Sequence, residues 1–453
     1  MGIRMAATKM IKCTFLLGFA GGSLLTYLFL KKRKTPMNSL QSELSISHSK
    51  MRQLVQEFEL QIVQGLEYHD QNISNFPSFI TKFEFKNGKY LTVDLGGTNL
   101  RISLITIGSG NSIQKKHTLP QKVKDSGGNE IFRFVAIAVS EFAVEHSLTN
   151  LKLGFTFSYP VRQEAIDRGS IHSWSKDING QEVIGKDPVQ LLQEQLDNLE
   201  ANFSVVALVN DTVGTLLAGM HRNNQTKLGV ILGTGSNAAY IEKTENIKKT
   251  KLTDKSDEMA INTEWGGFDN DKLHLPLTKY DQQVDLFSVN FKAQIFEKMI
   301  SGLYLGEIMR YIIIDLHLKD ELFYSLGMLV NPYSLSTIFM ARIQNDKDGS
   351  DTLRILSELQ VECRPKDYLK LKTICELLSE RSAKLAAVGV AAIVNHIKTQ
   401  NVVVAVDGSL FEHYPGYASL MQLTVNQLTS ANVQLELVHD GSSVGAALAA
   451  STC

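Results

Sequence analysis

Twice in this sequence an apolar, β-type run ends in a glycine-rich turn and a second β-type run follows at once. Residues 90–94 lead into Asp94-Leu95-Gly96-Gly97-Thr98-Asn99 and then 101–107; residues 229–233 lead into Gly233-Thr234-Gly235-Ser236-Asn237 and then 238–241. Short apolar runs bounded by glycine predict strands joined as hairpins. After the first hairpin come strands at 151–157 and 205–209 with a helix at 187–199 between them. After the second come helices at about 291–316 and 375–397 and strands at 402–406 and 434–438. Alternating strands and helices predict an α/β fold, and the repeated opening predicts a duplicated plan whose two lobes face a common cleft. A chain of 453 residues exceeds one ordinary core, and 43% hydrophobic content is enough to fill two.

Charge and cysteine usage exclude other classes. The 46 basic and 47 acidic residues leave a formal net charge of -1, so no global field holds nucleic acid. The four cysteines, Cys13, Cys363, Cys375 and Cys453, have neither a disulfide-framework nor a zinc-site spacing. The first 42 residues carry no acidic side chain and include an uncharged run at 13–30, CTFLLGFAGGSLLTYLFL, followed by Lys31, Lys32, Arg33 and Lys34. As a helix that run spans about 27 Å, enough to cross the hydrocarbon region, and the basic residues after it favour a body on the cytosolic side. A membrane anchor is therefore expected, with a cleaved targeting peptide as the rival. A Ser-, Asn- and Gln-rich stretch near 35–50 reads as a linker. Residues 51–68 then carry Leu54, Val55, Phe58, Ile62, Val63 and Leu66 at helical spacing.

Three turns have the character of phosphate cradles. A turn of the Gly96-Gly97-Thr98 kind points backbone N–H groups at phosphate oxygens, while Asp94 is able to hold Mg²⁺ through water. The competing reading is that a hairpin needs glycine for its dihedrals. The turn at Thr234 and Gly235 has the same properties without the acid, and Asp440-Gly441-Ser442-Ser443 opens an Ala-rich helix whose start can face a phosphate or nucleoside. No Walker A or GxGxxG motif occurs. Asn210-Asp211 lies between a strand and a helix, where Asp211 is either an N-cap or a base taking a proton from a sugar hydroxyl. Ser158, Lys176, Asn210, Asn237, Glu264 and Glu297 are candidates for holding sugar hydroxyls, although Lys176 and Glu297 read singly are as well explained as solvated surface.

The residues of several segments together resemble the eukaryotic hexokinase family, and especially its membrane-anchored plant members. The matching text is LTVDLGGTNLR at 91–101, LGFTFSYPVRQ at 153–163, ALVNDTVGTLLAG at 207–219, VILGTGSNAAYIE at 230–242, INTEWGGF at 261–268, FEKMISGLYLGEIMR at 296–310, VDGSLFEHYP at 406–415 and HDGSSVGAALAA at 439–450. The resemblance implies an actin-like (ribonuclease H-like) duplicated two-lobed fold, and transfer of the γ-phosphoryl of Mg-ATP to a hexose, with glucose at its 6-hydroxyl as first choice. It implies Asp211 as general base, with Ser158, Ser175, Lys176, Asn210, Asn237, Glu264 and Glu297 on the sugar. It implies Asp94, Gly96, Gly97, Thr98, Asn99, Arg101, Thr234, Gly235, Gly441 and Ser442 around the nucleotide, with Asp94 organising Mg²⁺. Members with such an apolar N-terminus sit on the mitochondrial outer membrane with the catalytic body facing the cytosol, while related forms enter plastids. A monomer is expected.

The boundaries that follow are a basic flank at 1–12, the anchor at 13–30, a basic and polar linker at 31–50 and a helical segment at 51–84. The small lobe then runs over 85–209, the large lobe over 210–440, and a C-terminal helix over 441–453 returns toward the small lobe. Three departures from the family pattern surround the sugar residues. Ser175 stands where a Thr is usual, Asn290-Phe291-Lys292 where Asn-Pro-Gly is usual, and Asp177-Ile178 where Gly-Phe is usual. They keep a second reading open, a catalytically weak sugar sensor or scaffold using the same cleft.

Overall fold

The computed structural model describes residues 37–97, 99–172, 180–250 and 256–453. Residues 37–46, Leu277–Ser288 and Leu303–Arg381 form one compact unit; Ser47–Pro276, Val289–Gly302 and Ser382–Cys453 form the other.

The two large sheets lie in the second unit and share one plan, and a small two-stranded sheet pairs Val161–Ala165 with Arg168–Ile171. In the first the strand order is Ser112–Thr118, Asn99–Ile107, Gly88–Leu95, Leu151–Phe157, Phe203–Val209. The first three are an antiparallel meander and the last two run parallel to Gly88–Leu95. In the second sheet Glu258–Asn262, Ser236–Lys243 and Thr226–Leu232 form the meander, Asn401–Asp407 and Asn432–Leu437 the parallel pair, and the two-residue Phe76–Pro77 is added at the edge. The duplication expected from the two glycine hairpins is thus present strand by strand.

The first sheet packs Val93, Ile102 and Phe155 against Phe132 and Val139 of helix Gly128–Glu145 and Leu192 and Leu196 of helix Pro188–Asn198. A further core joins Val209 of that sheet to Ala239 and Ala260 of the other through helices Asp211–Arg222 and Gly441–Thr452. These helices are built from small residues, TVGTLLAG and VGAALAA, because backbone meets backbone there. A Cβ on Gly445 would lie 2.1 Å from Gly214 O, and one on Gly154 2.1 Å from Ala446 O. Neither carbonyl has a flexible atom to move aside.

The other unit is helical and holds its charges in pairs. Arg381 grips Asp281 with two hydrogen bonds of 2.8 and 2.7 Å, both side chains being buried, and Asp281 also closes a capping box with Thr278 at the start of helix Lys279–Phe287. Lys279, Tyr280 and Lys319 all donate to Asp315 Oδ2.

Several expectations change. Residues 37–44, read as linker, form helix Met37–Leu44 with Leu40 and Leu44 buried. The single helix expected at 291–316 is two, Ile295–Ile300 and Gly302–Leu318. Between them Ser301 is extended, and Gly302 gives its N–H to Gly233 O at 2.8 Å, so the second glycine turn breaks the helix from outside. The break falls on Ser301-Gly302, a turn-type dipeptide that a reading of helical periodicity alone passes over. The membrane anchor is also corrected. Residues 13–30 lie outside the described residues, and among the described residues no helix is long and apolar enough to cross a membrane. An uncharged run satisfies only the length condition for crossing, whereas the span itself requires a helix that pairs its own backbone groups. The mitochondrial outer membrane assignment rested on that anchor and is withdrawn with it, as is any attachment to a plastid membrane through the same segment.

The close backbone approach generates a direct test. Gly445→Ala should destabilise the chain by about 1–3 kcal/mol or more through overpacking, whereas Ala at Gly185, where nothing lies within 4 Å but φ is +80°, should show only the smaller cost of its backbone conformation. Denaturant midpoints of the two variants check the order; equal losses would contradict the packing account.

Candidate active site

Two strand ends and one helix start bring carboxylates together. Asp94 is the penultimate residue of strand Gly88–Leu95 and pairs in register with Arg101, whose Nε lies 3.7 Å from Asp94 Oδ2. Ser442, in the first turn of helix Gly441–Thr452, donates its Oγ to Asp94 Oδ2 at 2.7 Å, and its carbonyl accepts from Thr156 Oγ1 at 2.9 Å. Asp407 ends strand Asn401–Asp407 and accepts the N–H of Gly441 at 3.1 Å. Burial pushes the Asp94 carboxyl above its usual range, and the charges of Asp211 and Asp407 push the same way; Arg101 and Ser442 oppose them. Asp407 is also raised, chiefly by burial, against the N–H groups of Gly441 and Gly408. Arg101 reaches Asp440 Oδ1 as well, at 3.5 Å.

Asp211 is the first residue of helix Asp211–Arg222 and not its cap. Asn210 caps it, its side chain accepting from the Thr212 N–H at 2.9 Å. Asp211 Oδ1 accepts from the same N–H at 2.9 Å and from Thr212 Oγ1 at 3.3 Å. The helix start is therefore secured by the neighbour. Ser158 follows strand Leu151–Phe157 directly and gives its N–H to Leu95 O at 3.2 Å, next to Asp94 in sequence.

The glycine turns differ from the hairpin explanation. Gly96 has no positive φ, and a Cβ there would meet only Asn99 O at an ordinary 3.6 Å; a Cβ on Gly233 would come no nearer than 3.9 Å to any neighbour. Neither the backbone nor the packing requires glycine at these two places. Thr234 is exposed at the turn, and Gly235 faces Glu297, whose Oε2 accepts the Ser236 N–H at 2.9 Å. Asn99 opens the next strand and returns its carbonyl to the Gly96 N–H at 3.0 Å.

A second polar group lies on the sheet that follows. Asn237 Nδ2 donates to Glu264 Oε1 at 3.2 Å and to Asn262 Oδ1 at 2.8 Å, and Asn262 Nδ2 donates to Glu264 Oε1 at 2.8 Å. Glu264 takes a left-handed conformation, φ 53°, before the buried Trp265, whose Nε1 donates to Ser236 Oγ at 3.0 Å. That conformation is uncommon for a residue other than glycine. Near Glu297, Lys292 adopts φ 65° and Gln294 φ 56°. The loop that lost its family glycine thus keeps a left-handed residue at position 292.

The structure therefore gathers Asp94, Arg101, Asp211, Gly441 and Ser442 into one cluster and Asn237, Glu264 and Glu297 into another beside the Gly233–Gly235 turn. Thr98, Ser175 and Lys176 lie outside the described residues, and Gly97 borders them. Sequence reasoning missed Asp407 and Asn262. Asp407-Gly408 has the strand-end acid and glycine that marked Asp94, and Asn262 stands two residues before Glu264 in a matched segment, yet only folding shows whom each contacts.

Duplicated sheets flanking a cleft, strand-end acids and glycine turns define a two-lobed sugar kinase. Sequence models of hexokinase match residues 36–221 and 227–452. A hexokinase of Kluyveromyces lactis is 35% identical over 447 residues, covering 91% of each chain, and hexokinase-7 of rice, Oryza sativa subsp. japonica, is 36% identical over 398 residues, covering 81% of this chain and 85% of its own. The hexokinase from Schistosoma mansoni, solved in complex with glucose, superposes with a TM-score of 0.85 at 31% identity, over 94% of this chain and all of that one. The chain belongs to the hexokinase family and is an ATP-dependent phosphotransferase acting on a hexose. The special likeness to membrane-anchored plant members is corrected: fungal and plant relatives match at level identity, and no described helix is long and apolar enough to cross a membrane.

A carboxyl with raised proton affinity binds its proton more tightly folded than unfolded, so its ionised form works against folding at neutral pH and that cost disappears as pH falls through the folded value. Asp94→Asn should accordingly keep or raise the melting temperature at pH 7 while lowering turnover, with any stability gain shrinking toward acid pH. Thermal unfolding at pH 7 and pH 5 checks the sign; a clear loss of stability at pH 7 would contradict it.

Proposed function

We propose that the acceptor is the 6-hydroxyl of glucose, that Asp211 is the general base, and that Mg-ATP is the donor. The lobes run over 85–209 and 210–440, with 441–453 returning to the first. Ser158, Ser175, Lys176, Asn210, Asn237, Glu264 and Glu297 hold the sugar. Asp94, Gly96, Gly97, Thr98, Asn99, Arg101, Thr234, Gly235, Gly441 and Ser442 surround the nucleotide. The observation that carries this reading is the position of Asp211, at a helix start whose cap is Asn210 and in the field of the Asp94–Ser442 pair. The glucose complex of the Schistosoma mansoni relative supports the choice of sugar.

As the 6-oxygen attacks the γ-phosphorus, Asp211 takes the hydroxyl proton and the bond to the ADP oxygen breaks. Phosphoryl transfer depends mainly on alignment and charge stabilisation, so a carboxylate that is only a weak base suffices. The glycines at 96 and 233, required by neither backbone nor packing, leave room for phosphate oxygens to approach N–H groups. Arg101 lies beside them as a fixed positive charge.

The oxygen donors fit Mg²⁺. Asp94 is a buried carboxylate in a field of like charge, which a divalent cation would relieve, and Mg²⁺ keeps most of its waters and usually takes only one or two protein carboxylates. When bound, the cation supplies neutralisation of phosphate charge.

Two variants test the reading in single-turnover phosphorylation with glucose binding and thermal unfolding measured on the same preparations. Asp211→Asn leaves the Asn210 cap in place and should lower sugar-dependent kcat about 10²- to 10⁴-fold with a smaller effect on glucose affinity; a folded, glucose-binding variant within about threefold of the parent would remove Asp211 as the base. Gly96→Ala should leave stability within about 0.5 kcal/mol while weakening ATP binding, because the methyl occupies space that only the nucleotide uses. An unchanged KM for ATP would refute a phosphate role for that turn.

A further inference from the structure

Both amide protons of Asn237 are engaged within the protein. Its Nδ2 donates to Asn262 Oδ1 at 2.8 Å and to Glu264 Oε1 at 3.2 Å, and its Oδ1 accepts from the Ala238 N–H at 2.8 Å. An Asn side chain has two donors, and these two bonds use both. A sugar oxygen accepts from Asn237 Nδ2 only by displacing one of them. Of the two donated bonds, the one to Glu264 is the longer, and Glu264 Oε1 has another donor in Asn262 Nδ2 at 2.8 Å.

We propose that Asn262 is a positioning residue that sets hydroxyl discrimination in the sugar site: its amide oxygen holds Asn237 and its amide nitrogen holds Glu264 while their mutual bond is exchanged for a sugar hydroxyl. The inference rests on the reading of Asn237 and Glu264 as sugar ligands. Asn262 is suited to the task because it is 6% exposed at the end of strand Glu258–Asn262, with its backbone in register between Ala239 and Phe76. Water hardly reaches it to substitute for either bond. Its orientation is also determined, since turning the amide over would set its oxygen against the Glu264 carboxylate and its nitrogen against a donor. The adjoining Thr263 is tied to Ala238 O through both its N–H, at 2.9 Å, and its Oγ1, at 2.7 Å, so the segment between Asn262 and Glu264 has little slack.

The experiment is steady-state kinetics of the full chain with glucose and each monodeoxyglucose, alongside the KM for ATP and thermal unfolding. Asn237→Ala and Glu264→Ala first identify the hydroxyl whose discrimination each residue provides. Asn262→Ala should raise the KM for glucose about 10- to 100-fold, change the KM for ATP less than about threefold, and reduce discrimination at both of those hydroxyls. Asn262→Asp keeps the oxygen that accepts from Asn237 but places a second oxygen against Glu264. It should therefore lose discrimination at the Glu264 hydroxyl and retain it at the Asn237 hydroxyl. If Asn262→Ala does not fold, the isosteric Asp variant decides alone. The proposal is overturned if a folded Asn262→Asp protein keeps the parent KM and discrimination, or if every sugar and ATP weaken together in step with lost stability. Should Asn237→Ala and Glu264→Ala leave the KM for glucose unchanged, the sugar-site reading falls and this inference with it. Should they raise it while both Asn262 variants match the parent, only the role of Asn262 falls.

Discussion

The backbone contact between helices Gly441–Thr452 and Asp211–Arg222, at Gly445 and Gly214, fixes the geometry of the Asp94 cluster. It brings the start of the C-terminal helix to the first sheet, where Ser442 meets both Asp94 and Thr156, and to the second, where the Gly441 N–H meets Asp407. Glycine and alanine are used because any larger group would separate two backbones whose closeness sets these hydrogen bonds. The same contact fills the core between the sheets, so the cluster cannot be loosened without opening that core.

Packing of this kind places like charges where folding alone would not. Asp94 and Asp407 are buried near each other and near Asp211, and their ionised forms are disfavoured by burial and mutual repulsion. Arg101, the Ser442 hydroxyl and the N–H groups of Gly441 and Gly408 offset only part of that cost. A divalent cation arriving with a nucleotide would relieve that excess of negative charge, whereas the phosphates alone would add to it. The Asn237 cluster follows the opposite rule. There Asn237, Asn262 and Glu264 satisfy one another. A hydroxyl that offers both a donor and an acceptor can enter that network without leaving a polar group unpaired, which is how a buried polar site rejects a sugar lacking it.

Local patterns were enough to read the duplicated hairpins, the parallel strands that follow them, some of the helices and the strand-end residues Asp94, Asn210 and Asp211, but not strands Ser112–Thr118 and Glu258–Asn262 or the core helix Gly128–Glu145. Period-two and helical spacing, glycine turns and capping chemistry act over a few residues, and the family resemblance extended that reading to a two-lobed kinase fold. Contacts at long range decided the rest. The helix expected at 291–316 is broken by Gly233, which lies far from it in the chain; Asn210 rather than Asp211 caps its helix; Gly96 and Gly233 are free of the dihedral demand that hairpin turns usually make; and Asp407 and Asn262 gain their importance from partners on other strands. The uncharged length at 13–30 met a condition for crossing a membrane without establishing a crossing. What the sequence determined by itself were features whose causes are local, whereas the meeting of three carboxylates and the mutual satisfaction of two amides with Glu264 were decided by tertiary packing, because hydrogen bonds and desolvation depend on which groups the fold brings within a few ångströms.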